Sequence, residues 1–282
     1  MGWFTGTFSV TTAVQPLKIA QITDCHLLIN GGTYEGVDSK ARLQSVMVKL
    51  AEQTWDCVVV TGDVTQDHTL GSYEILADYC RLYLKDTIVA WLPGNHDDID
   101  CLNRHFGQPP FTTAKHLKLG HWHVLMLNTK GPTPAGQVSA EHFDEITQVL
   151  NTIEPDESVL VFCHHHLLPV NGYIDKHIAS NGELLLNLLK AHEQVKCIAH
   201  GHVHQQRQTI LARAHYDDIY LWATPSTSVQ FAVNSKVRGN DDSLGPAFRY
   251  FELGAGAQVL SDVIWCSSGG STFRQAPRLD LA

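Results

Sequence analysis

The stretch VKCIAHGHVHQ, residues 195–205, begins as an apolar run and ends on His200, His202 and His204, three histidines at every second position. On an extended backbone alternate side chains share a face, so imidazoles at this spacing can converge on one point. An HxxxH metal helix of the zinc-protease kind does not fit, because Gly201 stands where the catalytic glutamate belongs and glycine is a poor helix former. The run is therefore read as a strand ending in ligand-type side chains. Three readings stay open at this point: a three-histidine site, two ligands with a neighbour, or a solvated patch.

Working outward, the same arrangement recurs. PLKIAQITD (16–24), CVVVTGD (57–63), TIVAWLPGN (87–95), WHVLMLNT (122–129), SVLVFCH (158–164) and VKCIAHG (195–201) read as buried strands, each a nearly continuous apolar run. Between them Ser39–Gln53, Gly71–Leu84, Ser139–Ile153 and Asn181–His192 have helical spacing, with Ser139 and Asn181 as helix starts. Five of the strands deliver Asp, Asn or His at their carboxyl ends: Asp24-Cys25-His26, Gly62-Asp63, Gly94-Asn95-His96-Asp97, His164-His165-His166 and Gly201-His202-Val203-His204. In open α/β sheets that edge is where ligands bind. After Gln205 the segments RQTILARA, IYLWAT, FRYFELG and QVLSDVIW follow as consecutive strands. This pattern predicts an α/β layered domain whose late strands build a second, more antiparallel sheet. The chain reads as one domain, 1–282, with a loosely held tail from about Ser267.

Each motif also has a bland reading. Asp24 and His26 fit a turn beside a surface histidine, and a Gly-Asp after a strand is commonly only a turn. The histidine triplet is harder to dismiss, since it follows a buried strand where polar side chains need partners. What singles out a site is the shared strand-end position of all five.

Composition bounds the chemistry. With 44% hydrophobic and 17% charged residues in 282, the chain reads as an ordinary globular protein. A net charge of −9 argues against a nucleic-acid polymer as partner. A small anionic substrate stays open, because a bound metal can reverse the local field. Seventeen histidines are many for this length, and histidine is the commonest metal ligand. The seven scattered cysteines form no CxxC pair and read as reduced, buried thiols, Cys25 and Cys163 included. Neither a signal-peptide pattern nor an apolar run near ~18 residues is present, so no membrane is expected and the cytoplasm is the default compartment.

The order DxH … GD … GNHD … H … GHxH, residues 24 to 204, resembles the calcineurin-like metallophosphoesterase superfamily. ITDCH, TGDVTQD, WLPGNHD, HHHLLPV and ATPSTSVQF (223–231) look like the bacterial class III 3′,5′-cyclic-AMP phosphodiesterases. The resemblance implies a four-layer αββα sandwich of two mixed sheets flanked by helices, with a dinuclear metal site at the strand C-terminal ends. One metal takes Asp24, His26, Asp63 and His204; the other shares Asp63 and takes Asn95, His164 and His202. On this reading His200 is a core or supporting histidine. The implied cofactors are two divalent ions, iron or manganese first and zinc or cobalt as options, since N/O ligation without thiolate admits all four. Two such ions outweigh Asp24, Asp63 and a bridging hydroxide, leaving a positive centre suited to a phosphodiester anion. The implied reaction is hydrolysis of cyclic AMP to 5′-AMP by in-line attack of metal-bridging hydroxide. Asp63 and His96 are the catalytic residues, His96 stabilising charge or protonating the leaving 3′ oxygen. His26, Asp63, Asn95, His96 and His204 face the substrate.

Some details depart from the superfamily. Gln66 stands where relatives often carry an acid, the acid here being Asp67, and Leu167 replaces a common proline, which is expected to loosen that loop. Within the triplet His165 is expected on the opposite face and His166 on the face of His164. ATPSTSVQF is either a pocket wall or a plain turn-rich loop, and GGTYEG (31–36) a flexible rim. No arginine lies in the GD or GNH motifs, the nearest being Arg81 and Arg104, which favours a diester monoanion. Alternatives are an enzyme for another small phosphoester, such as a glycerophosphodiester or a monoester, or a non-catalytic metal-binding scaffold. The oligomeric state is left open.

Overall fold

The computed structural model describes residues 2–10, 16–267 and 279–280, the last two by backbone only. Its strands, in chain order, are β1 (Thr7–Val10), β2 (Leu17–Ile22), β3 (Cys57–Thr61), β4 (Ile88–Leu92), β5 (His116–Leu119), β6 (Trp122–Met126), β7 (Ser158–Cys163), β8 (Val195–His200), β9 (Arg207–Leu211), β10 (Ile219–Ala223), β11 (Ala247–Leu253), β12 (Val259–Trp265) and β13 (Leu279–Asp280). The helices are α1 (Ser39–Leu50), α2 (Leu70–Tyr83), α3 (Ile99–His105), α4 (Ala140–Asn151) and α5 (Gly182–Lys190).

The apolar runs are continuous because both faces of each inner strand are covered. In β2, β3 and β4, Ile19, Val59 and Ala90 face the interior between two sheets, packing with Val124, Leu160 and Ala199 of the other. Their neighbours Ala20, Val58 and Trp91 face outward onto α1, α2 and α3. On the far side Val161 and Ile198 pack under α4 and α5. The result is a four-layer αββα sandwich of two mixed sheets, ordered β12-β11-β2-β3-β4 and β1-β5-β6-β7-β8-β10-β9-β13. Strands β2, β3 and β4 are parallel, as are β6, β7 and β8, so both sheets present carboxyl ends to one edge.

The late strands do not make a sheet of their own. β10 joins β8 in parallel and β9 pairs antiparallel beyond it, whereas β11 and β12 cross to the other sheet and extend β2. The physical reason is that β2 and β8 each offered a backbone edge whose N–H and C=O groups needed a partner. Ser139 caps α4 by accepting the His142 N–H. Asn181 precedes α5 as expected but makes no side-chain cap, because its amide pairs with both backbone groups of Val138. Leu167 does not loosen its loop: it is buried in the core beneath α4 and α5. The expected loose tail falls outside the described residues apart from Ser267 and β13, which pairs with β9. Among the described residues no helix is long and apolar enough to cross a membrane.

Candidate metal centre

The loops after β2, β3, β4, β7 and β8 meet at that shared edge. Asp24, His26 and His204 lie within metal-sharing reach of one another. The Nε2 atoms of His26 and His204 are 3.1 Å apart, and His204 Nε2 is 3.2 Å from Asp24 Oδ1. The other ring nitrogens are already committed. His204 Nδ1–H donates to the Val229 carbonyl at 2.7 Å and His26 Nδ1–H to Gln66 Oε1 at 2.9 Å. With its proton on Nδ1, the neutral His26 ring turns an Nε2 lone pair toward His204 Nε2, and Asp24 Oδ1 beside them has no hydrogen bond. Burial holds His26 neutral, its pKa pushed down to about 3 despite Asp63. Two ring nitrogens and a carboxylate oxygen gathered this closely fit a cation, and rings fixed through the far nitrogen are the usual companions of metal ligation.

A second group lies beside the first. His164 donates through Nδ1–H to the Thr61 carbonyl at 2.8 Å and turns Nε2 toward Asn95 Oδ1 at 3.3 Å and Asp63 Oδ2 at 3.4 Å. Burial works against a charged His164, but Asp63 draws its pKa up to about 9. A cation at this point serves Asp63 as that proton does. The His202 ring packs 5.0 Å from His164, with Nε2 buried and unpartnered. Asp63 Oδ2 sits between the groups, 3.4 Å from His164 and 3.8 Å from His26, the position of a bridging ligand.

The backbone is bent to make this arrangement. Of the eleven non-glycine residues with positive φ among those described, five are Asp24, His26, Asp63, His202 and His204. Left-handed backbone costs an L-residue on the order of 1–2 kcal/mol. Strain concentrated on candidate ligands marks a functional site. Two glycines let the loops close: a Cβ on Gly94 would collide with Asp63, and one on Gly201 with Thr23 and Asp24. Asp97 staples the β3 and β4 loops, its carboxylate accepting from Gly94 N and Val64 N, both at 2.9 Å.

His96 N–H donates to Asp63 Oδ1 at 2.8 Å, while its buried Nδ1 has no partner. Burial lowers its pKa, against the pull of Asp63. A cleft of about 300 Å³ opens over His26, Asp63, Asn95, His96, His202 and His204. His164 and Asp24 are fully buried and do not line it.

Several positions differ from expectation. His165 does not point away: β7 ends at Cys163, so strand alternation no longer applies, and its ring lies 4.8 Å from that of His202. Its nitrogens are taken by Pro134 O and Thr129 Oγ1, which leaves no lone pair for a metal. His166 stacks on His202 and donates to Asp175 Oδ1 at 3.2 Å. His200 donates to its neighbour's carbonyl, Gly201 O, at 2.9 Å, away from both groups. Gln66 takes the acid's place by orienting His26, and Asp67 ties the loop through Ile29 N and Thr69. The segment 223–231 is mainly a buttress: Ser226 and Ser228 hydroxyls donate to the Asp24 carbonyl, and only Phe231 reaches the cleft. Tyr34, in the supposed flexible rim, is buried and stacks 4.4 Å from His26. An arginine also lines the cleft, Arg238, from the β10–β11 connection beyond the last motif.

A two-sheet sandwich with Asp, Asn and His gathered at its strand ends is the build of a metallophosphoesterase. The family model of the calcineurin-like phosphoesterases matches residues 17–206, and the chain belongs to that family. Enzymes of the family are dimetal enzymes, and the donors for two ions are present in this chain. A probable cyclic nucleotide phosphodiesterase of Pseudoalteromonas sp. (strain SM9913) is 38% identical over 94% of this chain and 99% of its own. The 3′,5′-cyclic adenosine monophosphate phosphodiesterase CpdA of Haemophilus influenzae is 32% identical over 88% of this chain and 89% of its own. Among solved structures, a dimetal phosphatase from Danio rerio superposes with a TM-score of 0.58 at 14% identity, covering 90% of this chain and all of that one, a likeness of fold.

Proposed function

We propose that the protein hydrolyses 3′,5′-cyclic AMP to 5′-AMP with two divalent metal ions. The ligands on this reading are Asp24, His26, Asp63 and His204 for one ion, and Asp63, Asn95, His164 and His202 for the other. The observation that carries it is the pair of buried ligand-type groups, Asp24 with His26 and His204 and His164 with Asn95, on either side of Asp63 Oδ2. The relatives named as cyclic nucleotide phosphodiesterases supply the substrate class.

When bound, the ions would supply an activated water at neutral pH and neutralise charge on the phosphoryl oxygens. The chain's own residues do the rest. Asp24 and Asp63 contribute two negative charges against four, so the centre is net positive and draws in a diester monoanion. Gln66, Thr61 and Val229 hold the rings of His26, His164 and His204 in register. His96, held over Asp63 by its backbone N–H and lining the cleft, is placed to give a proton to the leaving 3′ oxygen. All donors are N or O, which suits iron or manganese and admits zinc or cobalt. The seven free cysteines support a reducing, cytoplasmic setting.

The test is turnover of purified protein on cyclic AMP, cyclic GMP and an aryl phosphodiester, with metal added or chelated, alongside metal analysis. The expected result is chelator-sensitive hydrolysis of cyclic AMP by protein holding two equivalents of metal, with His202→Ala and His204→Ala each lowering the metal content. Aryl diester hydrolysis alone would point to another small phosphodiester. Two bound metals without turnover would point to a scaffold.

A further inference from the structure

The cleft has a second wall that the five motifs do not supply. Tyr34 and Phe231 lie behind the metal-facing histidines, stacked on His26 at 4.4 Å and on His204 at 3.9 Å. Both are nearly buried, so each keeps little surface for a ligand. Arg238 lies beyond them. Its guanidinium carbon is 5.8 Å from the Tyr34 ring and 6.0 Å from the Phe231 ring. Nη2 donates to the Tyr34 hydroxyl at 3.0 Å and pairs with Glu35 Oε1 at 2.5 Å. The side chain is nonetheless 50% exposed and lines the cleft. Tyr173, also lining the cleft, meets Phe231 edge-on at 5.4 Å, and its N–H donates to Ser235 O at 2.8 Å, stapling its loop to that of Arg238.

Two roles suit an arginine at the mouth of a phosphoester site: gripping phosphate or stacking on a base. The geometry favours the second. Arg238 meets the hydroxyl end of Tyr34, whose ring stacks on His26, and Glu35 already pairs with its charge. A guanidinium held through Nη2 by a carboxylate and a phenol can still offer a planar face for stacking. Arginine planes and tyrosine rings are the surfaces on which proteins stack nucleobases.

We propose that Arg238, oriented by Glu35 and Tyr34 and flanked by Tyr173, is the platform on which the base of a cyclic nucleotide stacks, making it a specificity-determining residue. The proposal rests on the phosphodiesterase reading above and adds the base to it. It explains how a site whose motifs address only phosphate selects a nucleotide. The discriminating group comes from the β10–β11 connection, far in sequence from the ligands.

The experiment compares cyclic AMP with a ribose 3′,5′-cyclic phosphate that lacks the base, using metal-loaded wild type, Arg238→Met and Arg238→Lys. Wild type is expected to favour cyclic AMP. Arg238→Met is expected to lose about 5–100-fold in kcat/KM on cyclic AMP, mainly through KM, the worth of one stacked base. Turnover of the abasic compound should stay unchanged, which also reports that the variant is folded and loaded. Arg238→Lys keeps the charge without the plane and is expected to resemble Arg238→Met. Equal losses on both compounds, or rescue by lysine, would make Arg238 a phosphate contact and overturn the proposal. So would a wild type indifferent to the base, with the phosphodiesterase reading left standing. A loaded wild type inert toward both compounds would defeat that reading and this one together.

Discussion

Two buried histidine clusters in this molecule share composition but differ in wiring. On β5 and β6, His116 Nε2 and His123 Nδ1 are 2.6 Å apart, and His123 Nε2 meets Glu157 Oε2 at 2.9 Å. Thr7 Oγ1 takes the near end at 3.1 Å, and Lys118 pairs with Glu157 at 2.5 Å at the far end. That chain runs from hydroxyl to ammonium with a partner at every nitrogen, on regular strands. At the strand-end site the far nitrogens are pinned in the same way, but the near ones face other acceptors. Asp24 Oδ1 and His202 Nε2 have no hydrogen-bond partner, and the backbone is forced left-handed. A gathering of histidines therefore says little. A saturated network is structure, and one with its lone pairs turned on each other is a cation site.

The sharpest way to break this distinction is to remove one residue from each cluster. Asp63→Asn keeps the shape and the oxygen that accepts from His96 N–H, but deletes the charge shared by both groups. It is expected to lose bound metal and reduce turnover to background, whereas His123→Ala should keep both and lose only stability. Metal analysis and cyclic AMP turnover on the same preparations check this, and normal metal content in Asp63→Asn would sink the bridging assignment. Next in size is His96→Ala. Its backbone N–H still holds Asp63, so both ions should remain, while turnover drops by about 10²–10⁴-fold, the usual worth of a positioned acid. Full turnover with intact metal would remove His96 from the mechanism.

How much of this could be read from the chain depends on what each feature's neighbours are. The parallel inner strands were legible because each is apolar on both faces, and their ends because the ligand-type residues follow at once. Partnerships were not: β9 and β10 look like β11 and β12 in sequence, and only the exposed edges of β8 and β2 sort them. The short strands β1 and β5 and helix α3 escaped because four to seven residues hold too few periods to register. His165 was misplaced because alternation was carried two residues past the end of β7. Gln66 was visible as a departure inside TGDVTQD, but its bond to His26 depends on how two loops pack, and no local pattern marks Tyr34 or Arg238.

The comparison can be sharpened at smaller effect through the residues that pin the rings. Gln66→Ala removes the acceptor for His26 Nδ1–H and is expected to weaken metal binding about 10–100-fold, the range for such orienting partners. His200→Ala, whose ring nitrogen serves only its neighbour's carbonyl, should leave both ions bound. Competition with a graded chelator series measures both, and equal affinities for the two variants would remove Gln66 from this role.

The smallest expected effect is in the saturated cluster and concerns pH. Burial, with His123 adding to it, pushes the His116 pKa down to about 4, from about 6.5 in the unfolded chain. Between those values the unfolded state binds a proton that the folded state refuses, so stability rises with pH across the window and falls as acid is added. His116→Gln removes that titration. It should cost about 1 kcal/mol at pH 7 through its lost hydrogen bonds, yet lose less further stability than wild type between pH 6.5 and 4. Urea midpoints at pH 7 and 4.5 for the two chelated proteins make the comparison, because the site histidines titrate equally in both and cancel. Parallel loss of stability in wild type and variant would mean that His116 takes up its proton in the folded state as readily as in the unfolded one. The network would then be a polar cluster that accommodates charge, and the contrast with the metal centre would rest on its orphaned acceptors alone.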